Sequence, residues 1–193
     1  NHRIAGDYYT QRATMAYKLE SDLTLRSTLG TGIRFPSLNE YYFGATVANS
    51  STLKPEESIS FDIGFDKNYP NRNLDFSTTF FVVEYDNYIG GWESNTDSGN
   101  TYVQKNTDAT NKSHGVELLS NWKPSKDIIV DLGYTRTFSY FVSTCSNSGD
   151  YCDNTMNVRV PSYAVTSGIS KVFKNNVYGK ANLKYVGERR DYG

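Results

Sequence analysis

Histidine, cysteine and methionine are almost missing from this chain of 193 residues, which holds two of each. The histidines, His2 and His114, stand far in sequence from the cysteines, Cys145 and Cys152, so a zinc site of mixed ligands is not expected. With His2 near one end and His114 beside a glycine, no Ser-His-Asp arrangement is supported. No enzyme activity and no cofactor are expected. An excess of charge is missing too. Twenty basic residues meet 21 acidic ones for a net charge of -1, which argues against a nucleic-acid partner. No stretch reaches the roughly 18 apolar residues of a membrane-spanning helix, and the mean hydropathy is -0.60. No signal peptide opens the chain, and Asn1 in a polar run reads as a cut end.

What is abundant is aromatic. Sixteen tyrosines and ten phenylalanines bring the aromatic share to 15%. Helical periodicity is nearly absent, and apolar residues recur at every second position. "ATMAYKL" puts Ala13, Met15, Tyr17 and Leu19 on one face. "LTLRSTLGTGIR" sets Leu23, Leu25, Leu29 and Ile33 against Arg26 and Arg34. "SISFDIGFD" sets Ile59, Phe61, Ile63 and Phe65 against Asp62, Gly64 and Asp66. Five further strands are predicted at 73–88, 112–122, 127–140, 158–172 and 177–187. Phe81 and Val83 fall opposite Phe76 and Phe80, and Arg136 takes the apolar parity of its strand. A bulge, or a strand end beyond the apolar zone, would account for either.

The connections alternate as well. Short links are predicted at 20–22, 67–73, 123–126 and 173–176, and long ones at 35–55, 89–111 and 141–157. The wet face carries Asp62, Glu117, Asp131 and Lys180 in mid-strand. A meander with long loops at one end, short turns at the other, long strands and a charged wet face fits an antiparallel transmembrane β-barrel. In lipid, sheet edges must close. A soluble or surface-attached β-sheet domain with a binding or adhesive role is the alternative, since a sandwich also has one dry face per sheet. If the long loops are extracellular and the short turns periplasmic, both chain ends lie outside. The expectation is therefore a part of a larger barrel, with about eight of its strands present.

Cys145 and Cys152 sit seven apart in "STCSNSGDYCDN", where a local disulfide and an oxidising compartment are expected. Asp150 and Asp153 beside them are only two carboxylates, a weak basis for a calcium site.

The stretch "TGIRFPSLNEYYF" followed by "STLKPEESISFDIGF" resembles the paired signature of TonB-dependent outer-membrane receptors. The matching residues are Arg34, Phe35, Pro36, Ser37, Leu38, Asn39 and Glu40, then Leu53, Lys54, Pro55, Glu56 and Ser58. "FFVVEYDNYIG", "SHGVELLSNW" and "LKYVGERRDY" resemble later family elements in the right order, at Asp86, Tyr88 and Ile89, at Gly115, Val116 and Glu117, and at Tyr185, Gly187 and Arg189. The likeness is greatest to the vitamin B12 and siderophore receptors. It implies that residues 1–193 are a C-terminal part of a barrel of about 22 strands, without its plug and last strands. It also implies a place in the outer membrane of a Gram-negative bacterium, in contact with lipid. The implied cargo is an iron-siderophore complex or cobalamin. The implied energy source is the TonB-ExbB-ExbD complex, reached through the absent N-terminal region. Haem receptors use a loop histidine between the signature halves, and residues 35–55 hold none.

Pro36 suits a strand exit and Pro55 a strand entrance, because neither needs an N–H there. Glu56 is the expected partner of Arg34 at the rim. Candidate ligand contacts are the aromatic run Tyr41, Tyr42 and Phe43, with Trp92 and Tyr102 in the second long loop.

Overall fold

A computed structural model describes residues 7–41, 53–95, 101–107, 109–142, 159–174 and 177–189. Eight strands form one antiparallel sheet: β1 (Arg12–Glu20), β2 (Leu23–Arg34), β3 (Glu56–Tyr69), β4 (Leu74–Asp86), β7 (Thr110–Ser125), β8 (Ile128–Val142), β9 (Tyr163–Val172) and β10 (Tyr178–Val186). Each pairs with its neighbour in chain order, so the sheet is a meander with β1 and β10 at its edges, open rather than closed into a barrel. A separate ribbon, β5 (Ile89–Asn95) with β6 (Thr101–Asn106), occupies most of the segment expected to be a long loop. The run "GGWESN" lacks clean alternation, so periodicity carries no strand signal there.

The register sorts the sheet into two faces. Leu29 pairs with Phe61, Phe61 with Val82, Val82 with His114 and His114 with Phe138. Leu25, Phe65, Thr78, Leu118, Tyr134, Val165 and Tyr185 form another row of the same parity. This face is apolar and uncovered: Ile59, Phe61, Ile63 and Phe65 are 50%, 44%, 39% and 38% exposed. The opposite face carries Arg26, Asp62, Asp66, Glu117, Asp131 and Lys180. It is concave, since a hollow of about 740 Å³ is lined by residues from Lys18 on β1 to Thr166 on β9. The expected mid-strand charges all lie on this side.

Pairing between β3 and β4 and between β4 and β7 runs without a shift, so no bulge explains Phe81 and Val83. They face the concave side. Phe81 packs on Gly115, where an added Cβ would come within 2.7 Å of its ring. Arg136 faces outward, as its parity requires. Several expected boundaries move, and β7 runs from Thr110 to Ser125, beyond the expected 112–122. β3 runs on to Tyr69 before a 3-10 turn at Pro70–Arg72, which Asn73 ends in the left-handed region at φ 49°. β9 begins only at Tyr163, because Arg159 turns the chain at φ 64° and Pro161 offers no N–H to a ladder.

One polar knot ties three strands on the concave wall. The Arg26 Nε donates to both Asp66 oxygens at 3.1 and 3.2 Å, and its Nη2 donates to Ser77 Oγ at 2.9 Å and Thr79 Oγ1 at 2.6 Å. The guanidinium reaches β4 by lying across Gly64, the residue paired with both Arg26 and Thr79. A Cβ at Gly64 would stand 3.2 Å from the guanidinium carbon and would collide with the Thr78 carbonyl oxygen. Gly30 differs, for its nearest atom would be Ser60 Oγ at an ordinary 3.6 Å. Gly64→Ala is therefore expected to cost about 1–3 kcal/mol through backbone displacement. Gly30→Ala is expected to be neutral or mildly stabilising. Urea-unfolding midpoints of the two variants of the full-length protein check the contrast.

Candidate functional site

The site expected from sequence lies at the long-connection end of β2 and β3. Arg34, the last residue of β2, pairs in register with Glu56, the first residue of β3. Their side chains meet as a two-pronged ion pair, with Arg34 Nε to Glu56 Oε2 at 2.6 Å and Nη2 to Oε1 at 2.6 Å. The remaining guanidinium nitrogen, Nη1, donates to Glu40 at 3.0 and 3.1 Å. One cation thus holds two carboxylates.

Each carboxylate carries a second duty. Glu40 belongs to a single-turn helix, α1 (Leu38–Tyr41). Its Oε2 accepts the Ser37 N–H at 2.6 Å, while the Ser37 Oγ accepts the Glu40 N–H at 3.3 Å. This reciprocal capping box satisfies backbone donors that a helix start leaves without partners. Glu56 is 8% exposed, and its Oε1 also accepts the buried Ile89 N–H at 2.9 Å. That bond fixes the base of the β5–β6 ribbon to the main sheet. Leu53 and Ile89 form a small buried apolar cluster, and Pro36 and Pro55 are buried too.

Asn106, at the end of β6, completes the clamp. Its side-chain amide donates to the Lys54 carbonyl at 2.9 Å and accepts the Lys54 N–H at 2.8 Å. It also donates to the Asn87 carbonyl. The Thr107 N–H reaches the Tyr88 carbonyl at 2.8 Å, closing the ribbon's base. Nothing in the sequence singled out Asn106. The Ser37-x-x-Glu40 spacing was a visible signal for the cap.

The structure therefore brings Arg34, Glu40 and Glu56 together, with Leu53, Pro36 and Pro55 buried at the same end. Asn39 is exposed on α1. The aromatic candidates are distributed over two elements. Tyr41 ends α1, while register places Trp92 opposite Gln104 and Tyr102 opposite Ser94 in the ribbon. Tyr42, Phe43, Cys145 and Cys152, with Asp150 and Asp153, lie outside the described residues. Among the described residues no group of His, Cys, Asp and Glu is arranged to hold a metal ion.

The family model "TonB dependent receptor-like, beta-barrel" matches residues 1–193, the whole chain. The chain belongs to this TonB-dependent receptor family. A curated relative, the vitamin B12 transporter BtuB of Photobacterium profundum, is 28% identical over 120 residues, 61% of this chain and 19% of its own length. Among solved structures, a variant of the ferric enterobactin receptor PfeA of Pseudomonas aeruginosa, in complex with enterobactin, superposes with a TM-score of 0.70 at 17% identity, covering 96% of this chain and 29% of that one. The copper transporter OprC superposes with a TM-score of 0.59 at 17% identity, covering 83% and 23%. At such identities the structural likeness shows the fold alone. This receptor-family chain spans about a fifth of the length of its curated relative.

Burial works against ionisation of Glu40, but the Ser37 N–H and the Arg34 guanidinium outweigh it and hold its carboxyl below the ordinary value of 4.5. A carboxylate depressed in the folded state adds stability that is fully present above its unfolded pKa and is lost as pH falls through the folded value. The stability advantage of the native chain over Glu40→Gln should thus be constant near neutrality and shrink below about pH 4.5, as unfolding midpoints across pH 7 to 3 would show. Glu56→Ala leaves Arg34 Nε and Nη2 and the buried Ile89 N–H without their acceptor, a loss of about 2–4 kcal/mol. In a double-mutant cycle with Arg34→Ala, the coupling should exceed the about 1 kcal/mol of an exposed pair.

Proposed function

We propose that this chain forms part of the wall and rim of an outer-membrane receptor that takes up an iron-siderophore complex or cobalamin with TonB-supplied energy. The observation that carries this reading is the division of one sheet into an uncovered apolar face and a concave charged face. β3, β4, β7 and β8 run 14, 13, 16 and 15 residues. A tilted strand needs only about 9–11 residues to cross a bilayer, so these strands cross it and continue beyond. The rim knot sits on that continuation. It anchors the β5–β6 ribbon and α1 above the wall, where a large solute would first be met.

The apolar face supports this reading over a soluble adhesive domain. A soluble sheet would cover Phe61 and Ile63 with a second layer, and among the described residues none lies over them. Iron-siderophore and cobalamin are favoured as cargo by the relatives that carry such ligands, BtuB and PfeA by name. On this reading Tyr41, Tyr42, Phe43, Trp92 and Tyr102 are the residues that touch it. Their flat, apolar rings with polar edges suit catecholate or corrin surfaces.

The full-length gene, placed in a strain lacking its own iron and B12 receptors, is expected to restore growth on at least one siderophore or on B12. Restoration should vanish when the host's TonB is deleted. Growth on none of these, with the receptor present in the outer membrane, refutes the transport reading. A second outcome concerns the wall. Phe61→Lys on the apolar face should lower folding stability in lipid by about 2–4 kcal/mol at mid-membrane depth, whereas Ser60→Lys on the concave face should not.

A further inference from the structure

Arg136 is the outward-facing charge that the transport reading leaves without a role. Its neighbours along β8 are Tyr134 and Phe138, and its partners across the sheet are Val116 and Tyr163. Its guanidinium carbon lies 4.7 Å from the centre of the Phe138 ring. The exposed His114 stacks on the same ring at 5.3 Å and 18°. Lys112, paired with Tyr140 nearer the long-connection end, is already matched by Glu84 at 2.7 Å. Glu57 and Asp86 share the outward parity, but they stand on β3 and β4, with β7 between them and Arg136. Among the described residues no carboxylate pairs with Arg136.

The level of this patch is fixed by its surroundings. Tyr134, Phe138, Tyr140, Tyr163 and Tyr185 gather on the outward face around it, and the Tyr163 and Tyr185 rings lie 5.9 Å apart. An aromatic belt marks the depth where hydrocarbon gives way to headgroups. At that depth a cation among apolar neighbours draws an anion from outside the protein. A guanidinium held against an aromatic ring keeps its planar fork turned to the surroundings, a geometry that matches phosphate oxygens in pairs.

We propose that Arg136, set on Phe138 beside His114, binds the phosphate of a lipid headgroup in the leaflet at the long-connection end. This site rests on the outer-membrane placement of the sheet and is independent of which cargo is carried. The partner is a phosphorylated membrane lipid, not free phosphate in solution.

The full-length protein in detergent is titrated with four probes: phosphorylated lipid A, the same lipid without its phosphates, phosphatidylglycerol, and inorganic phosphate. Bound lipid is counted by native mass spectrometry. The native protein is expected to retain phosphorylated lipid A, and Arg136→Gln to weaken that retention about tenfold, the scale of one paired charged hydrogen bond. Arg136→Lys keeps the charge without the fork and should fall between them. Equal retention by Arg136→Gln, or by the dephosphorylated lipid, overturns the site, as does inorganic phosphate binding as tightly as the lipid. Preference for phosphatidylglycerol over lipid A supports the headgroup site and changes only the lipid. Should Arg136→Gln fail to fold, Arg136→Lys decides, and retention equal to the native protein counts against the fork. A full-length protein absent from the outer-membrane fraction refutes the placement together with the site, whereas one present there without dependence on Arg136 refutes the site alone.

Discussion

Parity kept through the ladder is the constraint on which the rest of this molecule depends. Side chains alternate along every strand, so a slip of one residue in any pairing would turn a whole strand's apolar set to the wrong face. From β1 to β10 the ladder avoids such a slip across the apolar zone. Its irregularities fall at strand ends, between Lys18 and Glu20 on β1 and between Trp122 and Ser125 on β7, where Pro124 sits. The concave wall is polar because the outward face is not. Arg26 can tie β2, β3 and β4 together only because the same register places Gly64 between its own position and Thr79.

The rim follows from the wall. Past the last ladder pair of β2 and β3, backbone groups of the connecting segments still need partners. Glu56 meets that need for two elements at once, since it accepts from Arg34 and from the Ile89 N–H. A neutral acceptor could satisfy the amide or the guanidinium less completely. A carboxylate buried to 8% exposure persists there because a bidentate cation stands beside it. The prolines of the two signature halves, Pro36 and Pro55, occupy positions where a donor would have to be matched and is absent.

Much of this could be read in the residues, for reasons that differ by element. "SISFDIGFD" announced β3 because one face had to be apolar and the other wet, and period two has no other reading at that length. Arg34 and Glu56 could be paired from the residues alone, since proline fixed where each strand ended. The β5–β6 ribbon could not, because glycines and polar residues leave no alternation to detect. Asn106 was equally hidden: its partners are backbone atoms of Lys54 and Asn87, and a contact to backbone carries no residue-type signal. The start of β9 moved because Pro161 and the turn at Arg159 act locally, beneath a pattern that runs on without a visible break.

Three arginines show how place decides what a cation does. Arg26 directs its donors to Asp66, Ser77 and Thr79 and joins strands within the wall. Arg34 divides its donors between Glu40 and Glu56 and joins the loops to the rim. Both are matched by the protein itself, and both face water, where an exposed ion pair is worth little unless its geometry is held. Arg136 has the opposite balance. It lies on the uncovered apolar face, its described contact is an aromatic ring, and its charge is matched by no carboxylate within the described sheet. A buried or lipid-facing cation costs most when no anion accompanies it. On the proposed placement, the anion that answers Arg136, whose cross-strand partners are Val116 and Tyr163, comes from the membrane.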